Sequence, residues 1–262
     1  MVFPMSIWIM LAIALVVSAL GFKKYVWFIS LGYGFSIAAE GIAMLALLPH
    51  DALATIACVL FVLYGCRLGG YLAFREIKGA SYAKHMKGEI KEDVPFGVKI
   101  AIWITCAILY VLQVLPMLYR LQNGAPSNAW LVIGVIVMAC GIVLESAADL
   151  QKNRAKATNP RRFVDTGLYR IVRCPNYLGE VVFWTGVVLS GIGAVAGAQW
   201  ILVLLGYAGI IFVMFSGARR LEIRQNKNYG DDPEYQRYVK TVPILLPFVP
   251  LYSVEKYKWL VA

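Results

Sequence analysis

Long apolar runs are the feature that most constrains how this chain can fold. Hydrophobic residues make up 60% of its 262 residues, and most of them lie in seven nearly uninterrupted stretches. A run of about 20 apolar residues is long enough to cross a hydrocarbon core about 30 Å thick. Charged residues make up only 15% of the chain, whereas soluble domains carry about 25%. The sequence therefore predicts a polytopic integral membrane protein.

The predicted spans are helices, because lipid offers backbone groups no hydrogen-bond partner. We expect an all-α fold with one membrane domain over residues 1–262. Its seven predicted transmembrane helices cover residues 3–20, 25–48, 52–74, 98–118, 129–150, 178–195 and 200–215. Residues 216–262 are polar at first, then apolar and interrupted by prolines. We expect this tail to form a cap lying against the helices.

Basic residues are distributed unevenly between the loops of this topology. All but two of the 25 lysines and arginines fall on the side of the C-terminal tail, the exceptions being Arg67 in a span and Arg120 in an opposite loop. Cytoplasmic loops of membrane proteins carry an excess of Lys and Arg. We therefore expect the N-terminus outside and the C-terminus in the cytoplasm. The net charge of +10 also favours anionic lipid, and nothing beyond charge indicates nucleic-acid binding.

Histidine and cysteine usage excludes several classes of site. The only histidines, His50 and His85, fall in loops on opposite sides, and the five cysteines form no CxxC pair. Two separated histidines cannot build a membrane di-iron centre, which needs many nitrogen ligands. We therefore expect no metal site and no disulfide framework. No GxGxxG follows a predicted strand, so a Rossmann fold is excluded as well.

Ionisable residues at membrane depth are functional candidates, because burying a charge in lipid is costly. They are Glu40, Arg67, Glu145, Asp149 and Glu180. Glu40 has two interpretations. It forms an ion pair with Arg67 that only fixes helix packing, or its carboxyl group donates a hydrogen bond to a substrate carbonyl.

A polar stripe crosses the third predicted span. Tyr64, Arg67 and Tyr71 are spaced i, i+3 and i+7 and therefore share one helix face. This stripe either lines a hydrated cavity or packs helices together through the tyrosine hydroxyls. Three glycines flank it and allow close helix approach: Gly65, Gly69 and Gly70.

A basic segment follows the fifth predicted span. Glu145 and Asp149 are four residues apart and share a helix face. They form a surface network with the following bases, or they bind ribose hydroxyls while the bases hold phosphates. The bases are Arg154, Lys156, Arg161 and Arg162.

The polar stretch "TGLYRIVRCPNYLGE", residues 166–180, lies between two apolar runs. Pro175 and Asn176 predict a helix start with Asn176 as N-cap. Asn176 and Glu180 share one face, and an amide with a carboxylate can pair with the carboxamide of a nicotinamide. Capping explains Asn176 alone, but it does not explain Glu180 at the start of a span.

These residues carry a family resemblance. "GLYRIVRCPNYLGE" resembles the GL-x-R-x-x-R-H-P-N-Y-x-G-E/D signature of the membrane steroid 5-alpha-reductase and sterol reductase superfamily, and is most similar to its bacterial steroid 5-alpha-reductase-like branch. The span-three stripe at Tyr64, Arg67 and Tyr71 also matches. Further matches lie in the tail at Arg220, Glu222, Tyr229, Gly230, Tyr235, Tyr238, Val242, Pro243 and Pro247. One position departs from the signature, where Cys174 replaces the usual His.

The resemblance implies an NADPH-dependent oxidoreductase acting on CH–CH groups. Such enzymes reduce the carbon-carbon double bond of an apolar enone, here a 3-oxo-4-ene steroid. It implies catalytic roles for Glu40 and Tyr64, with Arg67 and Tyr71 in a substrate pocket built from residues 1–125. Residues 126–262 are then the NADPH-binding part. The implied cofactor-binding residues are Glu145, Asp149, Arg154, Arg162, Tyr169, Arg173, Asn176, Glu180, Arg220, Glu222, Tyr235 and Tyr238.

Two alternatives accompany this interpretation. One is an S-adenosylmethionine-dependent isoprenylcysteine or phospholipid methyltransferase, a class that shares an R-H-P-x-Y segment and a tail rich in Glu and Tyr. The "NYLGE" continuation, with Asn176 and Glu180, favours the reductase. The other is a non-catalytic lipid-binding protein, which the exchange at Cys174 keeps open. For the reductase we expect a bacterial inner membrane location, with the active site open to the cytoplasm.

Overall fold

The computed structural model describes residues 1–78 and 94–260, and over this part of the chain it is all-α. The predicted fold class is therefore confirmed. Eight α-helices are described: α1 Met5–Ser18, α2 Leu31–Leu47, α3 Ala52–Lys78, α4 Phe96–Gln122, α5 Ala129–Thr158, α6 Pro175–Ser190, α7 Gln199–Tyr229 and α8 Pro233–Thr241. Short 3-10 helices lie at Ala19–Phe22, Tyr25–Phe28 and Gly167–Arg170. The predicted loop residues Lys84, His85, Lys87 and Lys91 lie outside the described residues.

Six helical stretches in the described part are long and apolar enough to cross a membrane. They are Met5–Phe22, Tyr25–Leu47, Ala52–Glu76, Phe96–Gln122, Ala129–Thr158 and Gln199–Tyr229. The sixth predicted span, residues 178–195, instead corresponds to α6, which has 16 residues and ends at Ser190. That length spans about 24 Å, less than a hydrocarbon core of about 30 Å.

Two helices continue well beyond their predicted ends. The spans predicted to stop at residues 150 and 215 extend to Thr158 and Tyr229. Both extensions are polar, but they are rich in Lys, Arg, Glu and Gln, which are strong helix formers. Arg120 was predicted in a loop and lies instead in the last turn of α4. Apolar length thus located six of the seven predicted spans in helices long and apolar enough to cross a membrane, and it predicted the helix ends poorly.

The chain divides into two compact units. The first comprises Met1–Val135 and Val187–Tyr207, and the second comprises Ile136–Gly186 and Ala208–Ala262.

In the first unit, glycines bring α2 and α3 into backbone contact. A Cβ atom added to Gly34 would lie 2.6 Å from the Gly69 nitrogen and 2.9 Å from the Gly65 oxygen. A Cβ atom on Gly65 would lie 2.6 Å from the Ala38 nitrogen. The expected close approach is therefore confirmed for Gly65 and Gly69, whereas Gly70 faces open space.

A buried arginine secures another part of the first unit. Arg120 donates to the carbonyl oxygens of Ser190 at 2.7 Å, Pro126 at 2.7 Å and Ile192 at 3.0 Å, and to Asn128 Oδ1 at 3.2 Å. Ser190 is the last residue of α6, whose terminal carbonyls lack helical partners. Arg120 therefore caps this helix and holds the turn that follows it.

The glycine contact can be tested with two matched substitutions. Gly65→Ala should destabilise the protein by about 1–3 kcal/mol, because the added methyl group overpacks a backbone contact. Gly70→Ala should be neutral or stabilising by up to about 1 kcal/mol, since the site is open and Ala is the better helix former. Thermal unfolding in detergent measures both, and equal shifts would contradict the α2–α3 contact.

Candidate functional site

In the first unit, a buried carboxyl group lacks a partner. Glu40 is 0% exposed, and neither of its side-chain oxygens has a hydrogen-bond partner among the described residues. It therefore makes no hydrogen bond to Arg67 or Tyr64. Because buried polar groups almost always have a partner, Glu40 is a candidate for contact with a ligand.

Helix periodicity explains how Glu40 is held. Tyr33, Ile37, Glu40 and Met44 are all buried on α2. Their spacing of four, three and four residues places them on one face. Gly41, the residue after Glu40, lies against α3, since an added Cβ atom there would be 3.0 Å from a backbone carbonyl oxygen of that helix. The backbone at Glu40 is therefore held close to α3.

A chain of hydroxyl and amide groups lies in the same unit. The hydroxyls of Tyr33 and Tyr64 are 2.7 Å apart, and Gln113 Nε2 donates to the Tyr33 hydroxyl at 3.4 Å. Tyr110 stacks on Tyr33 with ring centroids 5.2 Å apart, and its hydroxyl donates to the Phe28 carbonyl. Helices α2, α3 and α4 thus each contribute polar atoms to one buried network around Tyr64.

Three members of this network were not predicted from the sequence. Tyr33 lies seven residues before Glu40, so two helical turns separate them and they share a face. Gln113 is a neutral amide within an apolar span, so the criterion of an ionisable side chain at membrane depth does not select it. No sequence signal distinguishes Tyr110 from the other aromatic residues of α4.

The remaining predicted pocket residues continue along α3. The Arg67 guanidinium lies over the Tyr71 ring, 5.8 Å from its centroid. Both side chains are half-buried, whereas Tyr64 is buried. Arg67 therefore makes a cation–π contact with Tyr71. It makes no hydrogen bond to Glu40, its predicted ion-pair partner.

In the second unit, the motif segment folds around the start of α6. The helix begins at Pro175, and the carbonyl of Cys174 accepts the first helical bond, from Leu178 N at 3.0 Å. The prediction of Asn176 as N-cap is therefore wrong. Proline suits the first helical position because its missing N–H would have no partner there. Asn176 instead lies in the first turn and is half-buried.

Helices α5 and α6 meet at the predicted carboxylates. A Cβ atom on Gly179 would lie 2.7 Å from the backbone nitrogen of Glu145. Glu180, the next residue after Gly179, is buried, as are Glu145 and Asp149. Asp149 accepts a hydrogen bond from Lys152 Nζ at 3.4 Å. The structure thus places Glu145 directly against the α6 turn that carries Glu180.

A buried ion pair attaches the tail to this segment. Arg173 Nη2 lies 2.7 Å from Glu222 Oε1, with both side chains almost fully buried. The same nitrogen donates to the Tyr252 carbonyl, and Glu222 Oε2 accepts from Val254 N at 2.8 Å. Backbone bonds from Arg173 N to Pro243 O and from Cys174 N to Ile244 O, at 2.9 and 3.0 Å, continue the attachment. The expected role of the tail as a cap is thus supported within the second unit.

The predicted tyrosines form an aromatic cluster with Phe163. Tyr235 Oη donates to Asn226 Oδ1 and Tyr238 Oη donates to the Tyr169 carbonyl, both at 2.7 Å. Tyr169 donates in turn to a backbone carbonyl in α5. Burial raises the pKa of Tyr235 to about 12 and that of Tyr238 further, although Arg173 opposes both shifts. These hydroxyls are therefore neutral donors at physiological pH, and the fold itself uses them.

The predicted basic residues differ in how they are engaged. Arg162 bonds Glu234 at 2.5 Å and Asp165 at 2.9 Å, and these hydrogen bonds raise the pKa of Arg162. Its charge is therefore already balanced by two carboxylates. Arg154 and Arg220 are exposed at the polar ends of α5 and α7, where they are accessible to an anionic ligand.

Cys174, the departure from the signature, is 2% exposed. Burial raises the pKa of its thiol to about 12, with Arg173 acting in the opposite direction. The thiol is therefore neutral at physiological pH and behaves as a small packing group. Its position is fixed by the backbone bond to Ile244.

Helices of membrane-spanning length, together with a buried polar network, define a helical integral membrane protein. The family described as "Protein of unknown function (DUF1295)" matches residues 10–242, so the chain belongs to the DUF1295 family. It is also similar to Steroid 5-alpha-reductase DET2 of Arabidopsis thaliana, with 26% identity over 121 residues. Together these matches confirm the resemblance to the membrane steroid 5-alpha-reductase-like superfamily.

The similarity to the plant protein is partial. It covers 45% of this chain and 41% of the relative, so the chain spans less than half of that protein. No solved structure matches the chain significantly.

The buried ion pair can be compared with an exposed one. Glu222→Gln should destabilise the protein by about 3–5 kcal/mol, because it leaves Arg173 buried without a counter-charge. Glu234→Gln removes an exposed partner of Arg162 and should cost less than about 1 kcal/mol. Thermal unfolding of both variants in detergent provides the comparison. Similar losses in the two variants would show that the Arg173–Glu222 pair does not anchor the tail.

Proposed function

We propose that this protein is an integral-membrane reductase that uses NADPH to reduce the carbon-carbon double bond of an apolar enone. The proposed substrate class is a 3-oxo-4-ene steroid. The observation that carries the proposal is the buried carboxyl group of Glu40, which has no partner among the described residues. A relative whose name is steroid 5-alpha-reductase supports this chemistry.

The first unit supplies hydrogen-bond donors for a carbonyl oxygen. Reduction of an enone adds hydride to its beta carbon, and negative charge then develops on the carbonyl oxygen. A protonated Glu40 and the Tyr64 hydroxyl would stabilise that charge. One such donor can lower the activation barrier by about 2.7–4 kcal/mol. A proton from water or from a protein residue then adds to the alpha carbon, so two C–H bonds form and the double bond becomes a single bond.

A hydroxyl network positions Tyr64. Gln113 Nε2 donates to the Tyr33 oxygen, and the Tyr33 and Tyr64 hydroxyls share a hydrogen bond in which either can donate. In the proposed reaction Tyr33 donates to Tyr64, and the Tyr64 hydroxyl donates to the substrate carbonyl. We infer that Tyr33 and Gln113 are positioning residues, whereas Arg67 and Tyr71 contact the rest of the substrate.

The second unit offers groups that suit NADPH. When bound, NADPH supplies the hydride. Asn176 and Glu180 lie one turn apart on α6, and an amide with a carboxylate matches the donors and acceptors of the nicotinamide carboxamide. Glu145 and Asp149 are acceptors for ribose hydroxyls, and the exposed Arg154 suits phosphate. Arg220 is a further phosphate candidate. This site would be shaped through the fold by the other predicted cofactor-binding residues, Arg162, Tyr169, Arg173, Glu222, Tyr235 and Tyr238.

We also infer a topology of seven spans with the C-terminus in the cytoplasm. In addition to the six helical stretches of membrane-spanning length, α6 and the residues after it, up to Val195, would form a span. The location of nearly all basic residues on one side supports the orientation. NADPH would then reach the second unit from the cytoplasm. A bacterial inner membrane is the proposed location.

Ligand-dependent thermal stability separates the candidate functions. NADPH should stabilise the purified protein by about 2.7 kcal/mol at a hundredfold excess over its Kd, and S-adenosylmethionine should have no effect. Glu180→Gln should weaken NADPH binding about tenfold or more, because it removes a charged hydrogen-bond acceptor. Glu234→Gln is the control and should bind normally. Stabilisation by S-adenosylmethionine alone would favour the methyltransferase, and no stabilisation by either would favour a non-catalytic protein.

Two substitutions test the carbonyl site directly. Glu40→Met and Tyr64→Phe should each lower the kcat of enone reduction about 100-fold or more, while NADPH binding is retained. Their stabilities should change in opposite directions. Glu40→Met should gain about 1–3 kcal/mol because it removes an unpartnered buried polar group, and Tyr64→Phe should lose about 0.5–1.5 kcal/mol with its hydrogen bond.

Tyr119→Phe is the matched control for these variants. It removes a tyrosine hydrogen bond to the Val2 carbonyl, so its stability should fall as in Tyr64→Phe. Its turnover should stay normal, since Tyr119 lies outside the proposed site. Normal turnover in Glu40→Met or Tyr64→Phe would refute the carbonyl site. A loss of stability in Glu40→Met would show that its carboxyl group has a structural role.

A further inference from the structure

The tail of the second unit exposes an aromatic residue in a strained backbone conformation. Phe248 is 99% exposed, and its φ of 64° lies in the left-handed region. Bulky side chains rarely occur there, because Cβ meets the neighbouring carbonyl. Pro247 and Pro250 bracket the turn. The backbone therefore presents a phenyl ring outwards, at the expense of local strain.

Phe248 belongs to a larger apolar surface. An open cleft of about 280 Å³ is lined by Ile171, Pro243, Pro247, Phe248, Val249, Pro250 and Tyr252. Ile171 and Val249 are also exposed large hydrophobic residues. Single exposed apolar residues are ordinary on protein surfaces, but a contiguous patch marks a site of interaction.

Backbone hydrogen bonds attach this surface to the start of helix α6. The backbone bonds of Arg173 and Cys174 to Pro243 and Ile244 hold the turn beside the residues that immediately precede α6. Helix α6 is apolar, and each of its residues is buried or half-buried. Phe248 is therefore attached at the point where an apolar helix begins.

A second aromatic residue is attached to another apolar helix. Trp259 is 67% exposed and stacks on Phe212 with ring centroids 6.1 Å apart. Phe212 lies on α7, within a stretch of membrane-spanning length. Arg219, two turns further along α7, donates to the carbonyls of Glu255 and Leu260. The end of the tail is thus held where α7 changes from apolar to polar sequence.

Basic residues accompany these aromatic groups. Arg170, Lys256 and Lys258 are exposed, and Glu255 is the one acidic residue between positions 246 and 260. Basic residues near a membrane surface are attracted to anionic headgroups. Tryptophan and tyrosine are enriched where the headgroups meet the acyl chains. Residues 246–260 therefore combine the two residue classes that bind an anionic bilayer interface.

We propose that residues 246–260, the interfacial segment, bind the surface of an anionic bilayer, with Phe248 and Trp259 inserted among the headgroups. The lipid contact compensates the strain at Phe248 and shields its ring from water. The proposal does not depend on the reductase function, because it concerns residues outside the carbonyl network and the α5–α6 carboxylates.

Spin labels on the intact protein test the depth of this segment. Phe248→Cys and Trp259→Cys carry a nitroxide in vesicles of phosphatidylcholine and phosphatidylglycerol, after the more accessible native cysteines Cys66, Cys106 and Cys140 are replaced by alanine. Both labels should collide more often with oxygen, which concentrates in lipid, than with a water-soluble nickel chelate. The control is Arg237→Cys on the exposed face of α8, where the preference should be reversed.

Each other result overturns the proposal. Labels at 248 and 259 that behave like the label at 237 would place the segment in water. Labels shielded from both reagents would show that protein, such as a second copy of the chain, covers the surface. Insertion should also become shallower in pure phosphatidylcholine or in the double variant Lys256→Gln/Lys258→Gln. Unchanged depth under both conditions would refute the requirement for anionic lipid.

Discussion

The Arg173–Glu222 ion pair is the interaction on which the second unit depends. Arg173 precedes α6 by two residues, and Glu222 lies on the polar extension of α7. Arg173 Nη2, which pairs with Glu222 Oε1, also binds the Tyr252 carbonyl, and Glu222 Oε2 binds Val254 N in the tail. Two charges removed from water stabilise a structure only if their other polar atoms are also satisfied. The tail provides backbone partners for Arg173 Nη2 and Glu222 Oε2, whereas Nε and Nη1 of Arg173 have no hydrogen-bond partner among the described residues. A chain segment of low hydrophobicity is thereby fixed against the turn that starts α6, and with it the orientation of Asn176 and Glu180.

The first unit follows the opposite principle at its centre. Glycine contacts and a capped α6 terminus fix the helices, yet Glu40 is left buried with two oxygens lacking partners. Such a group lowers stability, and proteins retain this kind of cost chiefly at functional sites. The Tyr33 and Tyr64 hydroxyls on the same helices bond each other. Fixed donors together with an unsatisfied carboxyl group are the arrangement expected of a preorganised polar site, because the protein need not rearrange when charge develops.

The sequence predicted those features that depend on local pattern. Apolar length identified six stretches as membrane helices, and residue type at membrane depth selected Glu40. It could not predict partners that lie far away in the chain. Glu234 neutralises Arg162 from 72 positions further on, and Glu222 pairs with Arg173 across a whole helix. The error at Asn176 has a local cause, because Pro175 occupies the first helical position and moves the cap back to Cys174. Gln113 was missed because a neutral amide resembles its apolar neighbours in any hydropathy profile.

The exchange at Cys174 does not disrupt the fold of the motif, because the contribution of this residue comes mainly from its backbone. In the structure its contributions to the fold come from the backbone: its N–H bonds Ile244 and its carbonyl accepts the first bond of α6. Any residue other than proline can supply both groups. The side chain is a buried neutral thiol, so it fills space without competing with Glu222 for Arg173. A cationic histidine at the same position would lie beside Arg173 and would oppose burial of two like charges. The exchange to cysteine is therefore compatible with the ion pair that holds the tail and leaves the geometry of Asn176 and Glu180 intact.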